Sequence, residues 1–185
     1  MNSHAIQFRL ACDEDQQQIL ALHRDAFGAQ EGEVIANLVA AMLDDLSAEP
    51  AYSFVAELGD QVVGHALFTA VRIESDETAT AQILAPLGVA QEHQGRGIGT
   101  ELVKKAFDRI QVDGVELVFV LGYPDYYSRF GFAPAGVRGF QAPFPILPKN
   151  ADAWMVKGLN HGAIERYAGT IRCCNSLDHP QLWQE

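Results

Sequence analysis

A mixed α/β fold on a largely antiparallel central sheet, flanked by helices, is the architecture this sequence predicts. Three observations point there. Strand-like and helix-like segments alternate along the chain instead of segregating. Two β-rich runs, AYSFVAEL (51–58) and QVVGHALFTAVRI (61–73), are parted only by Gly59-Asp60, so they pair as a hairpin. A third strand, TATAQILAPLGVA (78–90), follows after a polar turn and extends the antiparallel run.

The other elements follow in order. AIQFRLAC (5–12) has the apolar content of a strand. Asp13 stands where a helix cap belongs, before a helix over 14–27 whose Ile19, Leu20, Leu22, His23, Ala26 and Phe27 share one stripe. Gly28 ends that helix. A second helix over 31–46 presents Val34, Ile35, Leu38, Val39, Met42 and Leu43, and Pro50 closes the unit. ELVKKAFDRIQ (101–111) is helical, with Leu102, Val103, Ala106, Phe107 and Ile110 toward the core. Gly114 then leads into the apolar strand VELVFVLG (115–122), and DYYSRF (125–130) makes a short helix after Pro124. PFPILPKNADAW is irregular, while WMVKGL and YAGTIRCC are strand candidates around a short helix near HGAIE. The 185 residues fit one domain (1–185), with a core over about 5–135 and a tail over 136–185.

Composition narrows the function classes. Hydrophobic residues make up 48% and charged residues 20%, the balance of an ordinary soluble globular chain. No apolar run approaches the ~18 residues of a membrane span. The opening MNSHAIQFRLACDEDQQQ lacks the basic-then-apolar layout of a secretory signal, so a full-length cytoplasmic protein is expected. Three cysteines, Cys12, Cys173 and Cys174, form no C-x-x-C, which argues against a disulfide framework or a zinc site; no metal is expected. The net charge of −11 disfavours nucleic-acid binding, which needs clustered Lys and Arg, and is compatible with a cationic partner such as an amine.

The most informative stretch is HQGRGIGTELVKKAF (93–107), where three glycines at alternate positions run into an amphipathic helix. Glycine loses much backbone freedom on ordering, so its use here needs a reason. Helix N-termini carry unpaired N–H groups and partial positive charge, and bare backbone lets a phosphate come close. Gly95, Gly97 and Gly99 clear that approach, and Arg96 adds a cation. The loop therefore suits a pyrophosphate. It is not G-x-x-x-x-G-K-[ST], which rules out a nucleotide-triphosphate loop. It is not the G-x-G-x-x-G of a dinucleotide fold either. Asp113 and Glu116, the nearest acids, stand at the wrong end of the next strand to hold a ribose. Coenzyme A is the remaining reading.

Gln94-Gly95-Arg96-Gly97-Ile98-Gly99 resembles Q/R-x-x-G-x-G/A, the acyl-CoA signature of the GNAT superfamily of N-acetyltransferases. LGVA (87–90) stands where that family has its pantetheine-pairing strand, and YYSRFGF (126–132) is similar to its Y-x-x-x-G-F. LGYPDYYSRFGF looks especially like the YhbS-like branch of predicted bacterial acetyltransferases. The resemblance covers about 5–135, with looser similarity in the tail.

The resemblance implies acetyl-CoA as co-substrate and an amine acceptor, a small molecule or a peptide, that attacks the acetyl carbonyl directly. It implies cofactor contacts from Gln94, Gly95, Arg96, Gly97, Ile98, Gly99 and Thr100. Backbone N–H groups at Leu87, Gly88 and Val89 would polarise the acetyl carbonyl or hold the pantetheine amide. Pro86, lacking an N–H, suits a bulge there. Tyr127, four residues before Gly131, matches the family's general acid. A phenol of pKa near ~10 stays protonated at neutral pH and can protonate a thiolate of pKa near ~8.5. Tyr126 is the alternative donor. The Glu that many family members place on the strand before the loop is missing from ILAPLGV, leaving Glu33, His65 and Glu57 as base candidates. A water relay, or an amine that is already neutral, would need no dedicated base. His23, Trp154 and Trp183 are candidates for lining the acceptor site, which the first helices and segment 141–148 would shape. The tail strand YAGTIRCC is expected to offer an edge for a homodimer. Longer acyl chains, hydroxyl acceptors and a non-catalytic CoA-binding module remain open alternatives.

Overall fold

A computed structural model describes residues 5–184. The first four residues of the segment read for a secretory signal lie outside it. One open sheet runs in the order β1-β2-β3-β4-β5-β8-β6. Its strands are β1 (Gln7–Leu10), β2 (Tyr52–Leu58), β3 (Gln61–Ile73), β4 (Asp76–Val89), β5 (Leu117–Leu121), β6 (Ala133–Pro134) and β8 (Trp154–Gly158). β7 (Phe140–Gln141) and β9 (Gly169–Arg172) attach at the far end of β3. Within the main path every pairing is antiparallel except β4 with β5.

The helices cover both faces. α1 (Gln16–Leu43) breaks at Gly28, whose φ of 73° and ψ of −172° leave the helical region, so the two helices expected there meet at a kink. Its Ile19, Leu22, Val39 and Met42 join Val55, Leu67, Val71 and Ile83 in one core. α2 (Ile98–Val112) lies on the other face, where Leu102, Val103, Ala106, Phe107 and Ile110 pack on Phe54, Ala66, Phe68, Leu84 and Val118. α3 (Pro124–Tyr127) and α4 (Ala163–Arg166) are single turns. Among the described residues no helix is long and apolar enough to cross a membrane.

Two expectations are corrected. Asp13 does not cap the first helix: it is exposed, in a 3-10 turn over Asp13–Asp15. The buried Asp15 stands at the N-cap position of α1 without a side-chain cap bond to the helix; its carboxylate accepts the Cys12 N–H at 2.8 Å and the Arg9 guanidinium at 2.6 and 2.9 Å. Arg9 arrives from β1, a partner that local sequence does not show. The tail strand is not a free edge either. β9 pairs with β3 through Arg72–Arg172 and Ile73–Ile171, and with β7 on its other side. Tail strand β8 runs beside β5 along its whole length, so the tail completes the same sheet.

Candidate active site

The site begins where two strands part. β4 and β5 pair only at Ala81–Leu117, Gln82–Val118 and Ile83–Phe119. β4 then continues to Val89 without β5 beside it. The cause is on its other edge. Ala66 pairs with Leu87 while Phe68 pairs with Leu84, so Ala85 and Pro86 together oppose Leu67. That bulge, at the proline expected to make one, turns the strand and leaves the edge from Leu84 onward open. A wedge between parallel strands therefore opens toward Leu87, Gly88 and Val89.

The glycine loop stands at the mouth of this wedge. Gln94 anchors it, donating from Nε2 to Val89 O at 2.9 Å. Gly95 (φ 73°) and Gly97 (φ 80°) occupy the left-handed region, and a Cβ at either would meet nothing within 4 Å. Their requirement is thus backbone conformation, and the space over them is free for a ligand. Gly97 is the N-cap of α2, and its carbonyl accepts the N–H of Glu101 at 3.0 Å. The N–H groups of Ile98, Gly99 and Thr100 precede the first intrahelical bond and carry the positive end of the helix. Arg96 is exposed beside them. Gly99 differs from the other two glycines. A Cβ there would lie 2.9 Å from Tyr126 Oη and 3.4 Å from Val89 Cγ2, with Leu87 beyond, so its small size is fixed by neighbours that converge on the wedge.

Both tyrosines close the far side, and they are not equivalent. Tyr126 turns its hydroxyl toward Gly99 and the Thr100 side chain, and Arg129 stacks on its ring at 4.4 Å. Tyr127 is packed on Phe130 and Phe132 with its ring pressed against Gly122, just past the end of β5. Burial pushes the Tyr127 phenol well above its ordinary range, so it stays protonated at neutral pH. Gly122 is a packing position beside Tyr127 that sequence reading missed. Its signal was a glycine directly before Tyr123-Pro124, where a side chain would collide with the Tyr127 ring.

The base candidates separate clearly. Glu33 is exposed and paired with Arg24 at 2.6 Å across the kink, and Glu57 is held by Arg9 at 3.0 Å. In both, the neighbouring guanidinium keeps the carboxyl below its usual range, which makes each a weaker base. His65 is wholly buried and belongs to a chain of three groups. Ser53 Oγ lies 2.9 Å from His65 Nε2, and His65 Nδ1 lies 2.7 Å from His23 Nε2. His23, also wholly buried, turns its Nδ1 to Gly88, the residue opposite His65 in the β3–β4 register.

Trp154 and Trp183 do not line the wedge. Each indole N–H bonds a backbone carbonyl, Phe140 O at 3.1 Å and Leu177 O at 3.0 Å, and the two rings pack together in the core. A cleft of about 370 Å³ opens at the α1 kink between Arg24, Asp25, Gly28, Ala29, Glu33 and Gln91. In segment 141–148, Ala142, Phe144 and Ile146 pack on the α1-side core. Among the described residues no group of His, Cys, Asp and Glu is placed to hold a metal ion.

This geometry has counterparts. A family profile described as an acetyltransferase (GNAT) domain matches residues 7–135. YjhQ of Escherichia coli K12, an uncharacterized N-acetyltransferase, is 36% identical over 177 residues, 95% of this chain and 96% of its own length. YhbS of the same strain, likewise an uncharacterized N-acetyltransferase, is 32% identical over 111 residues, 60% of this chain and 64% of its own length. The crystal structure of Escherichia coli YhbS in complex with CoA superposes with a TM-score of 0.85 at 25% identity, covering 97% of this chain and 95% of that one. A GNAT acetyltransferase from Brucella melitensis in complex with acetyl-CoA shares the fold, with a TM-score of 0.75 at 23% identity over 95% of this chain and 99% of its own. The profile spans the kinked helix, the parted strands and the glycine loop together, and on that match the chain belongs to the GNAT acetyltransferase family.

Proposed function

We propose that this protein moves an acetyl group from acetyl-CoA to a primary amine by direct attack. The observation that carries this reading is the wedge between β4 and β5, which ends on the N-terminus of α2. The pyrophosphate of acetyl-CoA would lie over Gly95 to Thr100, met by free N–H groups and Arg96. Its thioester arm would run along the open edge of β4. There the Leu87, Gly88 and Val89 backbone can bond the pantetheine amide or polarise the carbonyl.

In the reaction the amine nitrogen forms a bond to the acetyl carbon and the carbon–sulfur bond breaks. The thiolate leaves with the electron pair and takes a proton from Tyr127. Burial holds that phenol in its protonated form, and a thiolate released into the same dry site gains proton affinity for the same reason. A second reading has its own observation: the Tyr126 hydroxyl converges with Leu87 and Val89 on Gly99, on the line of the thioester arm. In that reading Tyr126 is the donor and Tyr127 supports its ring, the two packing edge to face at 5.0 Å.

The test is release of CoA thiol from acetyl-CoA over polyamines, amino acids, aminoglycosides and peptide N-termini. Amine-dependent release is the expected result. Tight acetyl-CoA binding without transfer to any of them would mark a binding module instead.

A further inference from the structure

The three-group chain Ser53–His65–His23 is not used by the reaction as described so far, and it ends on an unsatisfied atom. Of the four ring nitrogens of the two histidines, three are bonded, while His23 Nδ1 is buried with no hydrogen-bond partner. A buried polar atom without a partner costs about 1–3 kcal/mol, so a pair of histidines serving packing alone would not be expected to keep one. The orphan has a definite direction. A Cβ on Gly88 would lie 2.8 Å from Nδ1 and 2.9 Å from Cε1, so the ring edge presses on backbone that only glycine allows. Gly88 is in the open segment of β4, on the stretch assigned above to the acetyl carbonyl.

The contact also indicates the tautomer. A Gly88 Cα–H points toward Nδ1, which suits a lone pair and opposes an N–H. Nε2–H of His23 then donates to His65 Nδ1, and Nε2–H of His65 donates to Ser53 Oγ. Every donor in the line points away from Gly88. Ser53 is half-buried, so the line runs from the wedge toward the surface.

We propose that His23 Nδ1 is the proton acceptor for the attacking amine, with His65 and Ser53 as the positioning residues that pass the proton outward. This rests on the acetyl-transfer reading. As the carbon–nitrogen bond forms, the amine nitrogen becomes cationic and its proton acidic. That N–H bond breaks and a bond to His23 Nδ1 forms. The Nε2 proton of His23 moves to His65 Nδ1, the Nε2 proton of His65 moves to Ser53 Oγ, and the Ser53 hydroxyl proton leaves to solvent. The line ends with the opposite tautomers and no added charge; reverse transfer takes a proton from solvent at Ser53 and releases one from His23 Nδ1 into the site, where it restores the Tyr127 phenol, so that both are reset.

A relay is needed because neither ring can store charge. Burial holds the pKa of His23 down at about 4, and His65 is lowered well below its ordinary value by burial and by His23 itself. Opposing this, Asp15 raises His65 electrostatically, but its carboxylate is already committed to Arg9. On the helix side Phe27 stacks on His23 with ring centres 5.8 Å apart, and the Asp25 carboxylate is taken by the Gln91 N–H at 2.7 Å. The kink cleft is walled by Arg24 and Asp25, which follow His23 in α1, and by Gln91, which lies just past the end of β4.

The test uses the full chain labelled with 15N-histidine. Long-range proton–nitrogen spectra of the wild type report which ring nitrogens carry hydrogen, before and after saturation with acetyl-CoA followed by calorimetry. A bare Nδ1 on His23 whose resonance moves when acetyl-CoA binds is the expected result. An Nδ1–H tautomer, or a bare Nδ1 that does not respond to bound acetyl-CoA, overturns the proposal. No calorimetric binding to the wild type would instead overturn the acetyl-transfer reading, and the role of His23 with it. Kinetics then use the panel amine that gives the fastest wild-type thiol release. His23→Asn should lower kcat by ~10²-fold or more and leave KM for acetyl-CoA near wild type. Ser53→Ala should lower kcat less and reduce the solvent isotope effect. A folded His23→Asn variant with wild-type kcat would remove His23 from the chemistry.

Discussion

Replacing Gly97 with Glu separates the cost of backbone strain from the cost of an occupied anion site. At φ 80° any L-residue is strained, and no neighbour within 4 Å would oppose its Cβ. The folding penalty is therefore conformational, about 1–2 kcal/mol. Gly97→Ala carries the same penalty with no charge and serves as the control. The glutamate adds a carboxylate where the pyrophosphate is proposed to rest. At ~4 Å, two like charges repel by about 1 kcal/mol in water and about 4 kcal/mol near a protein surface. Affinity for acetyl-CoA should therefore fall from roughly fivefold to a thousandfold beyond Gly97→Ala. Calorimetry measures it, with thermal unfolding to show that both variants fold. Added salt should recover part of the loss, because the Debye length shrinks to ~3 Å at 1 M. If Gly97→Glu is folded and binds acetyl-CoA as tightly as wild type, the anion does not lie over the α2 N-terminus.

Further outcomes follow from the same geometry. Tyr127→Phe keeps the ring packing and should lower kcat by ~10²-fold or more with little change in KM for acetyl-CoA, whereas Tyr126→Phe should be mild; reversed effects in the thiol-release assay would make Tyr126 the donor. Gly122→Ala forces its Cβ into the Tyr127 ring, so kcat should fall with the cofactor affinity retained, as read by the same assay beside calorimetry. On acidification, His23 is held near about 4 when folded against 6.5 ordinarily, so the unfolded chain takes up the proton first. Stability present above pH 6.5 should decline between pH 6.5 and 4, by about 3 kcal/mol from this group, and urea melts of wild type and His23→Asn should show the smaller decline in the variant.

Features set by neighbouring residues were legible in the sequence. Gly59-Asp60 marked the hairpin, Gly28 the helix break and Pro86 the bulge, because each acts through its own backbone conformation. The glycine run marked the α2 N-terminus for the same reason, although the helix starts at Ile98 rather than 101. What escaped was set by partners far along the chain. β9 looked like a spare edge because nothing local shows that β3 and β7 both take it. Trp154 and Trp183 could be placed in a pocket or in the core with equal ease until their backbone acceptors were seen. His65 read as a base candidate and His23 as a lining candidate, each by itself, and only the packing of α1 on β3 brings His23 Nε2 to 2.7 Å from His65 Nδ1.

The acetyl-transfer account stands most directly on where the acetyl group goes. With acetyl-CoA labelled at the acetyl carbonyl with 13C, wild-type protein and the amine panel, carbon spectroscopy follows the label while thiol release is counted in parallel. The account predicts that the label leaves the thioester at the rate of thiol release and appears as an amide on the amine nitrogen, and that Gly97→Glu slows both together at limiting acetyl-CoA. Label that stays on CoA with every amine while wild-type binding is intact, or that appears only as an ester, would contradict it.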